Sequence, residues 1–349
     1  MRGLILGFGF NRAAMNWIDQ PWFLNGLVLA GYGLLVLWCR RASRQERWIS
    51  AWQRLKRDRV GWMAFGFIAL FLLVGTLDLV RVPSAEGPRT LLDALTAAIP
   101  QESGYSEPLA RVTLSVADPK PLKGLHLLGT DALGRDTLVR TCKAARTALL
   151  IGGLTSLIYL PIGVLLGILA GYYRRWVDDC VQYLYSTIAA VPEILMLVAI
   201  LMVLGKGMGS MALALGLTGW VGMARLIRGE TLRQVERPYV QAAKSLGQSD
   251  WRILTRHLLP NVMHLVVIKF VLGFSGLVLA EAILSYLGVG SPVGTASWGA
   301  MIDASRSELS REPVVWWNLT AASSALFLLV LSLNVLGDSL RRAFDPRRG

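Results

Sequence analysis

Apolar residues in this chain arrive in long blocks, not in amphipathic stripes. A helix needs roughly 20 apolar residues to cross a hydrocarbon core. Seven stretches approach that length: 21–38, 60–80, 149–173, 181–204, 208–220 running on to 224, 262–287 and 316–336. The fifth is short and rich in glycine, and the first is short with an ill-marked start. Between the second and third spans lies a long polar segment, 81–147, that reads as an irregular cap. The pattern predicts an all-α polytopic membrane protein of six core helices plus an extra N-terminal helix.

Composition agrees with the blocks. The 349 residues are 54% hydrophobic and only 17% charged, where a soluble domain carries about a quarter charged residues. The mean hydropathy is +0.48. A net charge of +13 would suit nucleic acid if it were spread over a soluble surface. Its placement excludes that reading. Setting 40–59 on the cytoplasmic side also places 174–179, 225–261 and the tail from 337 there. Those stretches hold 21 basic and nine acidic residues, against 14 and 12 on the opposite side. The surplus follows the positive-inside rule, with the C-terminus cytoplasmic and the N-terminus outside. Residues 1–38 could alternatively be a cleaved signal peptide, but Cys39-Arg40-Arg41 is no small-residue cleavage site, which favours a retained helix.

Catalytic and ligand motifs are missing. Cys39, Cys142 and Cys180 are scattered, and His126, His257 and His264 form no HExxH, so neither a disulfide framework nor a metal site is expected. Gly205-Lys206-Gly207 lacks the spacing of a phosphate loop, and Gly207-x-Gly209-x-x-Ala212 follows no soluble strand. No GxSxG elbow occurs. The chain has no visible means of hydrolysing a nucleotide.

The stretch 225–261 is the most unusual. Pro238 can open a helix, Tyr239, Val240, Gln241, Ala242, Ala243 and Leu246 can continue it, and Gly247 stands where a left-handed terminator is wanted. Ser249 or Asp250 can cap a second helix, 251–259, that Pro260 would close. The expected product is an elbow of two short helices whose paired alanines offer another protein a small face. An amphipathic hairpin on the lipid surface is the plain alternative.

Four strings carry a resemblance. Gln241-Ala242-Ala243-x-x-x-Gly247, followed by His257-x-Leu259-Pro260-Asn261, resembles the EAA loop of ABC-importer permeases. Gly129-Thr130-Asp131-x-x-Gly134-Arg135-Asp136 is similar to the outer motif of dipeptide, oligopeptide and nickel permeases. Glu281-Ala282-x-Leu284-Ser285-Tyr286-Leu287-Gly288-x-Gly290, then Ser297-Trp298-Gly299, resembles their C-type subunit, as does the closing Ala343-Phe344-Asp345-Pro346-Arg347. The likeness runs from about residue 126 to the end.

It implies the type I importer transmembrane fold. It further implies a heterodimer with a B-type permease, two cytoplasmic ABC ATPases that consume ATP and magnesium, a periplasmic binding protein, and a bacterial inner membrane. This subunit would bind no cofactor, and a peptide would be the cargo. The coupling residues carried over are Tyr239, Val240, Gln241, Ala242, Ala243, Leu246, Gly247 and Asp250. Domains follow: 1–59 extra helix and basic linker, 60–80 first core helix, 81–147 periplasmic segment, 148–340 five-helix core containing the loop 225–261, and 341–349 tail. Two departures stand out. The family's acidic residue at the head of the loop is Gln241, and residues 1–59 have no counterpart in a six-span subunit. A self-contained secondary transporter or channel is the rival reading, but it calls for inverted repeats, and none is visible.

Polar groups inside spans are functional candidates by default. Glu193, behind Pro192, and Glu281 could each line the path or pair structurally with a serine. Lys269, about 18 Å from Glu281 along a helix, could snorkel. Gly163, Gly167 and Gly171 recur on one helix face and suit close packing, either within the subunit or against a second permease. Asp136 is expected to cap a surface helix running to Arg146 with Leu138, Val139, Cys142 and Ala145 on one face.

Overall fold

The structure is a computed structural model that describes residues 25–26, 40, 46–83, 89–115, 118–290, 292 and 294–344. The expected span 21–38 lies outside the described residues except for 25–26, as do Asp345, Pro346 and Arg347 of the tail motif.

Helix α1 (Glu46–Arg57) occupies what the charge pattern read as a linker. Its buried Leu55 packs with Leu336 of the C-terminal helix, and the Trp48 ring meets Phe344 of the same helix at 4.9 Å. Helix α2 (Arg59–Leu79) is the first long apolar helix, opened by Asp58, whose carboxylate accepts from the Gly61 N–H. A two-residue hairpin, β1 (Arg81–Val82) with β2 (Arg89–Thr90), and the single turn α3 (Leu91–Leu95) begin the cap.

Helix α4 (Thr137–Tyr173) runs unbroken for 37 residues. The expected surface helix and third span are therefore one element: nothing between Arg146 and Leu149 breaks it, and Asp136 caps the whole through the Val139 N–H at 2.9 Å. The expected span 181–204 is two helices, α5 (Arg175–Ala189) and α6 (Glu193–Leu204), meeting at 85°. Pro192 is the cause: it lacks an N–H, biases Val191 away from helix and itself sits extended as the cap of α6. Helix α7 (Met208–Val235) then continues well past 224. Next come α8 (Pro238–Ser245), α9 (Asp250–Ile253), a π turn (Leu254–Leu258) and α10 (Leu259–Tyr286).

Pro260 does not close the second elbow helix as expected; Asp250–Tyr286 is a single 37-residue helix. The widened turn explains the passage. The Leu259 N–H bonds back to the Leu254 carbonyl, five residues away, which shifts the carbonyls that a proline ring would otherwise strike. Helices α11 (Trp298–Glu308) and α12 (Trp317–Phe344) complete the chain.

Among the described residues, five helices are long and apolar enough to cross a membrane, or six if the bent pair counts as one. Their outer faces bear Met63, Leu73, Leu157, Met202 and Val203, all strongly exposed apolar groups suited to lipid. The most extensive helix pairing is α4 on α7. A Cβ on Gly163 would stand 2.6 Å from the Met223 Cβ, on Gly167 2.8 Å from the Ala224 carbonyl, and on Gly171 2.7 Å from the Thr231 Cβ. The glycine stripe thus faces a helix of its own subunit.

At the other end of α4 the cap is knotted to the bundle. Asp131 accepts the N–H groups of Leu133 and Arg135 at 2.9 and 3.0 Å and pairs with the Arg135 and Arg140 guanidinium groups. Trp317 Nε1 donates to the Thr130 carbonyl at 2.9 Å, and Thr137 Oγ1 to Asn318 Oδ1 at 2.7 Å. Buried His126 lies between two carboxylates, Asp136 at 2.8 Å and Glu102 at 3.4 Å. Asn25 brackets the Arg81 backbone with two 2.9 Å hydrogen bonds.

Two predictions follow from this packing. Gly167→Leu should destabilise the protein by about 1–3 kcal/mol through overpacking, read as a lower thermal midpoint in detergent. Gly153→Leu, where a Cβ would meet nothing within 4 Å on the same helix, should change it little. Asp58 is held at about 2 from its ordinary 3.8 by hydrogen bonds from Arg342 and Ser339, which favour the carboxylate. The stability it lends is complete above the unfolded value and fades as pH drops toward the folded one. The midpoint gap between wild type and Asp58→Asn should accordingly be flat from about pH 5 to 8 and shrink below about pH 4.

Candidate functional site

The elbow hangs from the end of α7. Arg237 precedes α8 in extended conformation, and Pro238 fills the first turn, where no N–H partner is needed. Helix α8 ends in a Schellman motif: Gly247 has φ +73°, its N–H reaches the Lys244 carbonyl, and the Gln248 N–H reaches Ala243. Ser249 caps the following helix by position but without a side-chain hydrogen bond.

Val240 and Ala243 turn inward, fully or nearly buried, against Ile253, Leu258 and Val262. Only Ala242 of the alanine pair faces out, because successive helical residues point about 100° apart. The outer face therefore consists of Tyr239, Gln241, Ala242 and Leu246, with Trp251 beyond the turn; Leu246 is 81% exposed and Trp251 73%. Exposed Asp250 accepts from the Tyr172 hydroxyl at 2.6 Å, and the Lys244 ammonium lies 4.6 Å over the Tyr172 ring.

The two halves of the EAA-like string hold one another. Asn261 Nδ2 donates to the Tyr239 hydroxyl at 3.1 Å, and His257 Nε2 meets Gln248 Oε1 at 3.1 Å. Gln241 has a definite local role: its Nε2 donates to the Val235 carbonyl at 2.8 Å, at the C-terminus of α7. A carboxylate has no proton to give there and would face the negative helix end.

The spans hold a second candidate feature. A cavity of about 370 Å³ opens among α4, α6, α7 and α10, lined by Tyr159, Glu193 and Lys269 together with Gly219, Gly222 and Gly273. Glu193, the first residue of α6, is exposed beside it. Sequence reasoning did not bring Lys269 to this place; only the fold juxtaposes α6 and α10.

Glu281 lies elsewhere, 1% exposed, accepting from Ser285 at 2.8 Å and Ser297 at 2.7 Å. Trp298 beside it donates to the Thr141 carbonyl at 3.1 Å, so this motif ties α10 and α11 to α4. A larger cavity of about 810 Å³ sits under the cap, where the Lys143–Asp93 and Arg146–Asp78 pairs line the wall. No group of three metal-ligating side chains occurs among the described residues.

Comparison with known proteins gives this geometry its context. The chain is 34% identical over 299 residues to the dipeptide transport system permease protein DppC of Bacillus subtilis, covering 85% of each. It is 36% identical to the oligopeptide transport system permease protein OppC of the same organism, over 66% of this chain and 74% of that one. Identity is 37% to the glutathione transport system permease protein GsiD of Pectobacterium atrosepticum, over 64% and 73%. Among solved structures, a chain of the MetNI methionine ABC transporter is similar at TM-score 0.45 and 20% identity, covering 60% of this chain and 96% of that one. Residues 163–349 match the family described as "Binding-protein-dependent transport system inner membrane component". The chain belongs to that family of ABC-importer permease subunits, which bind no cofactor and catalyse no reaction themselves.

Proposed function

We propose that this permease serves an importer of di- or oligopeptides in a bacterial inner membrane, paired with a homologous B-type permease. Two cytoplasmic ATPases grip the elbows, and a periplasmic binding protein delivers the peptide. The elbow faces the cytoplasm, as does the C-terminus, and the cap faces out; the distribution of arginine and lysine supports that orientation. Peptide cargo draws support from the printed names of the relatives, two of them peptide and one glutathione permeases.

One observation carries the coupling role. The elbow is rigid within and uncovered without: Val240 and Ala243 anchor it, two cross-turn hydrogen bonds lock its halves, and Leu246 and Trp251 stand bare on the far side. Large exposed apolar groups on a braced protrusion suit a protein groove. Gln241, committed to Val235, makes no charged contact with an ATPase. Docking then rests on Tyr239, Ala242, Leu246, Gly247 and the neighbouring arginines. Binding of ATP draws the ATPases together, the elbow follows, and the helices attached to it reopen the path on the other side.

The test is a gentle pull-down of the tagged chain from its native membranes. A second permease and ATPases with phosphate-loop motifs should co-purify. Leu246→Glu, which leaves the buried side of the elbow untouched, should cut recovery of the ATPases by about tenfold or more and leave the permease pair intact. A chain that emerges alone, or only as a homo-oligomer, and transports in liposomes without ATP overturns the reading.

A further inference from the structure

The intramembrane cavity holds an unusual set of groups. Neither Lys269 nor Glu193 has an ion pair or hydrogen bond among the described residues, although both line it. The Tyr159 hydroxyl, on a side chain only 4% exposed, likewise finds no partner. Ser156, one turn earlier, gives its proton to the Gly152 carbonyl at 2.7 Å, and its oxygen does not take the tyrosine's.

Glycines make the space. Lys269 Nζ is 3.9 Å from where a Cβ on Gly222 would stand, and the Tyr159 hydroxyl 2.9 Å from one on Gly273. Charges at membrane depth are expensive and persist where they face water or a ligand. Here an ammonium, a carboxylate and a hydroxyl share one cavity while remaining unmatched among the described residues.

We propose that this cavity receives the charged ends of a free peptide in transit. The peptide carboxylate meets Lys269 and its ammonium meets Glu193; a small turn of the Tyr159 ring, whose hydroxyl is closed off from solvent here, would add a third contact. The inference rests on the peptide-importer reading above and names the residues that would engage the cargo. A simple anion or cation would satisfy one charge and be repelled by the other, and a lipid chain would satisfy neither. The volume falls within the range of small-molecule sites, about 300–1,000 Å³. Beside the glycines the wall is aliphatic, with Ile194, Leu197 and Leu284 in it, a surface that takes apolar peptide side chains without discriminating among them and suits a path that leaves selectivity to the binding protein.

The test uses the complete importer in proteoliposomes, with binding protein and ATPases, and radiolabelled alanyl-phenylalanine and glutathione as probes. Uptake, ATP hydrolysis and subunit composition are measured on the same preparation. Lys269→Met should lower the peptide carried per ATP hydrolysed by about tenfold, the loss of one charge-assisted contact, with assembly and ATPase rate retained. Tyr159→Phe should lower it by about threefold, and Lys269→Arg should keep most of it. Wild-type uptake by Lys269→Met overturns the proposal. So does loss of ATPase activity or of the second permease together with uptake, which makes the lysine a structural or interface group. An arginine variant as impaired as the methionine one also overturns it. Wild-type vesicles that hydrolyse ATP yet carry neither peptide overturn the peptide reading itself and this site with it. Variants indifferent in vesicles that do carry peptide overturn the site alone.

Discussion

Backbone-to-backbone contact between α4 and α7 is the constraint on which the rest of this subunit hangs. Lipid offers helices no hydrophobic reward for associating, so their union rests on van der Waals contact, and small residues allow the closest approach. Gly163, Gly167 and Gly171 let α7 sit within contact of the α4 backbone along three turns. Everything specific is attached to the ends of that pair. The cap is fastened to the start of α4 by Asp136 and Thr137, and the elbow continues from the end of α7 through Val235 and Gln241.

Polar groups divide accordingly into two classes. Those of the cap and of the Glu281 cluster are consumed in holding elements together: Asp131 meets two backbone amides and two guanidinium groups, and Glu281 meets two serine hydroxyls. Such groups are costly to bury alone and cheap once matched. Glu193, Lys269 and Tyr159 belong to the other class, placed at a cavity with no partner among the described residues. The resemblance to known permeases draws the eye to Glu281 because it stands in a recognisable string; the fold gives the more conspicuous vacancy to residues in no string at all.

Much of the architecture could be read from the chain because crossing a membrane is a one-dimensional requirement, met by a run of apolar residues. Gly247 and Pro238 were equally legible, since their backbone preferences are local. Helix α1 carried a signal that charge obscured: Trp48, Ala51 and Leu55 recur at helical spacing inside a basic run. The break at Pro192 had its cause in plain sight, but an apolar run long enough for one span says nothing of its bend. Pro260 misled in the opposite way, because a π turn can carry a helix past a proline. Pairings such as Tyr239 with Asn261, or Lys269 beside Gly222, depend on the relative phase of separate helices, and no sequence spacing encodes that.

The unbroken helix Asp250–Tyr286 has a mechanical meaning. Trp251 and Lys269 are 18 residues apart on it, about 27 Å at the rise of an α-helix, with no loop between them to absorb displacement. The elbow and the cavity wall are therefore two stations on one shaft. The π turn at Leu254–Leu258 carries one surplus residue per turn. Were that surplus to migrate along the shaft, each residue it passed would swing by about 100° around the axis. A push delivered at one end would then reach the other along a single continuous helix, and a shift of that surplus residue would turn it into a change of aim.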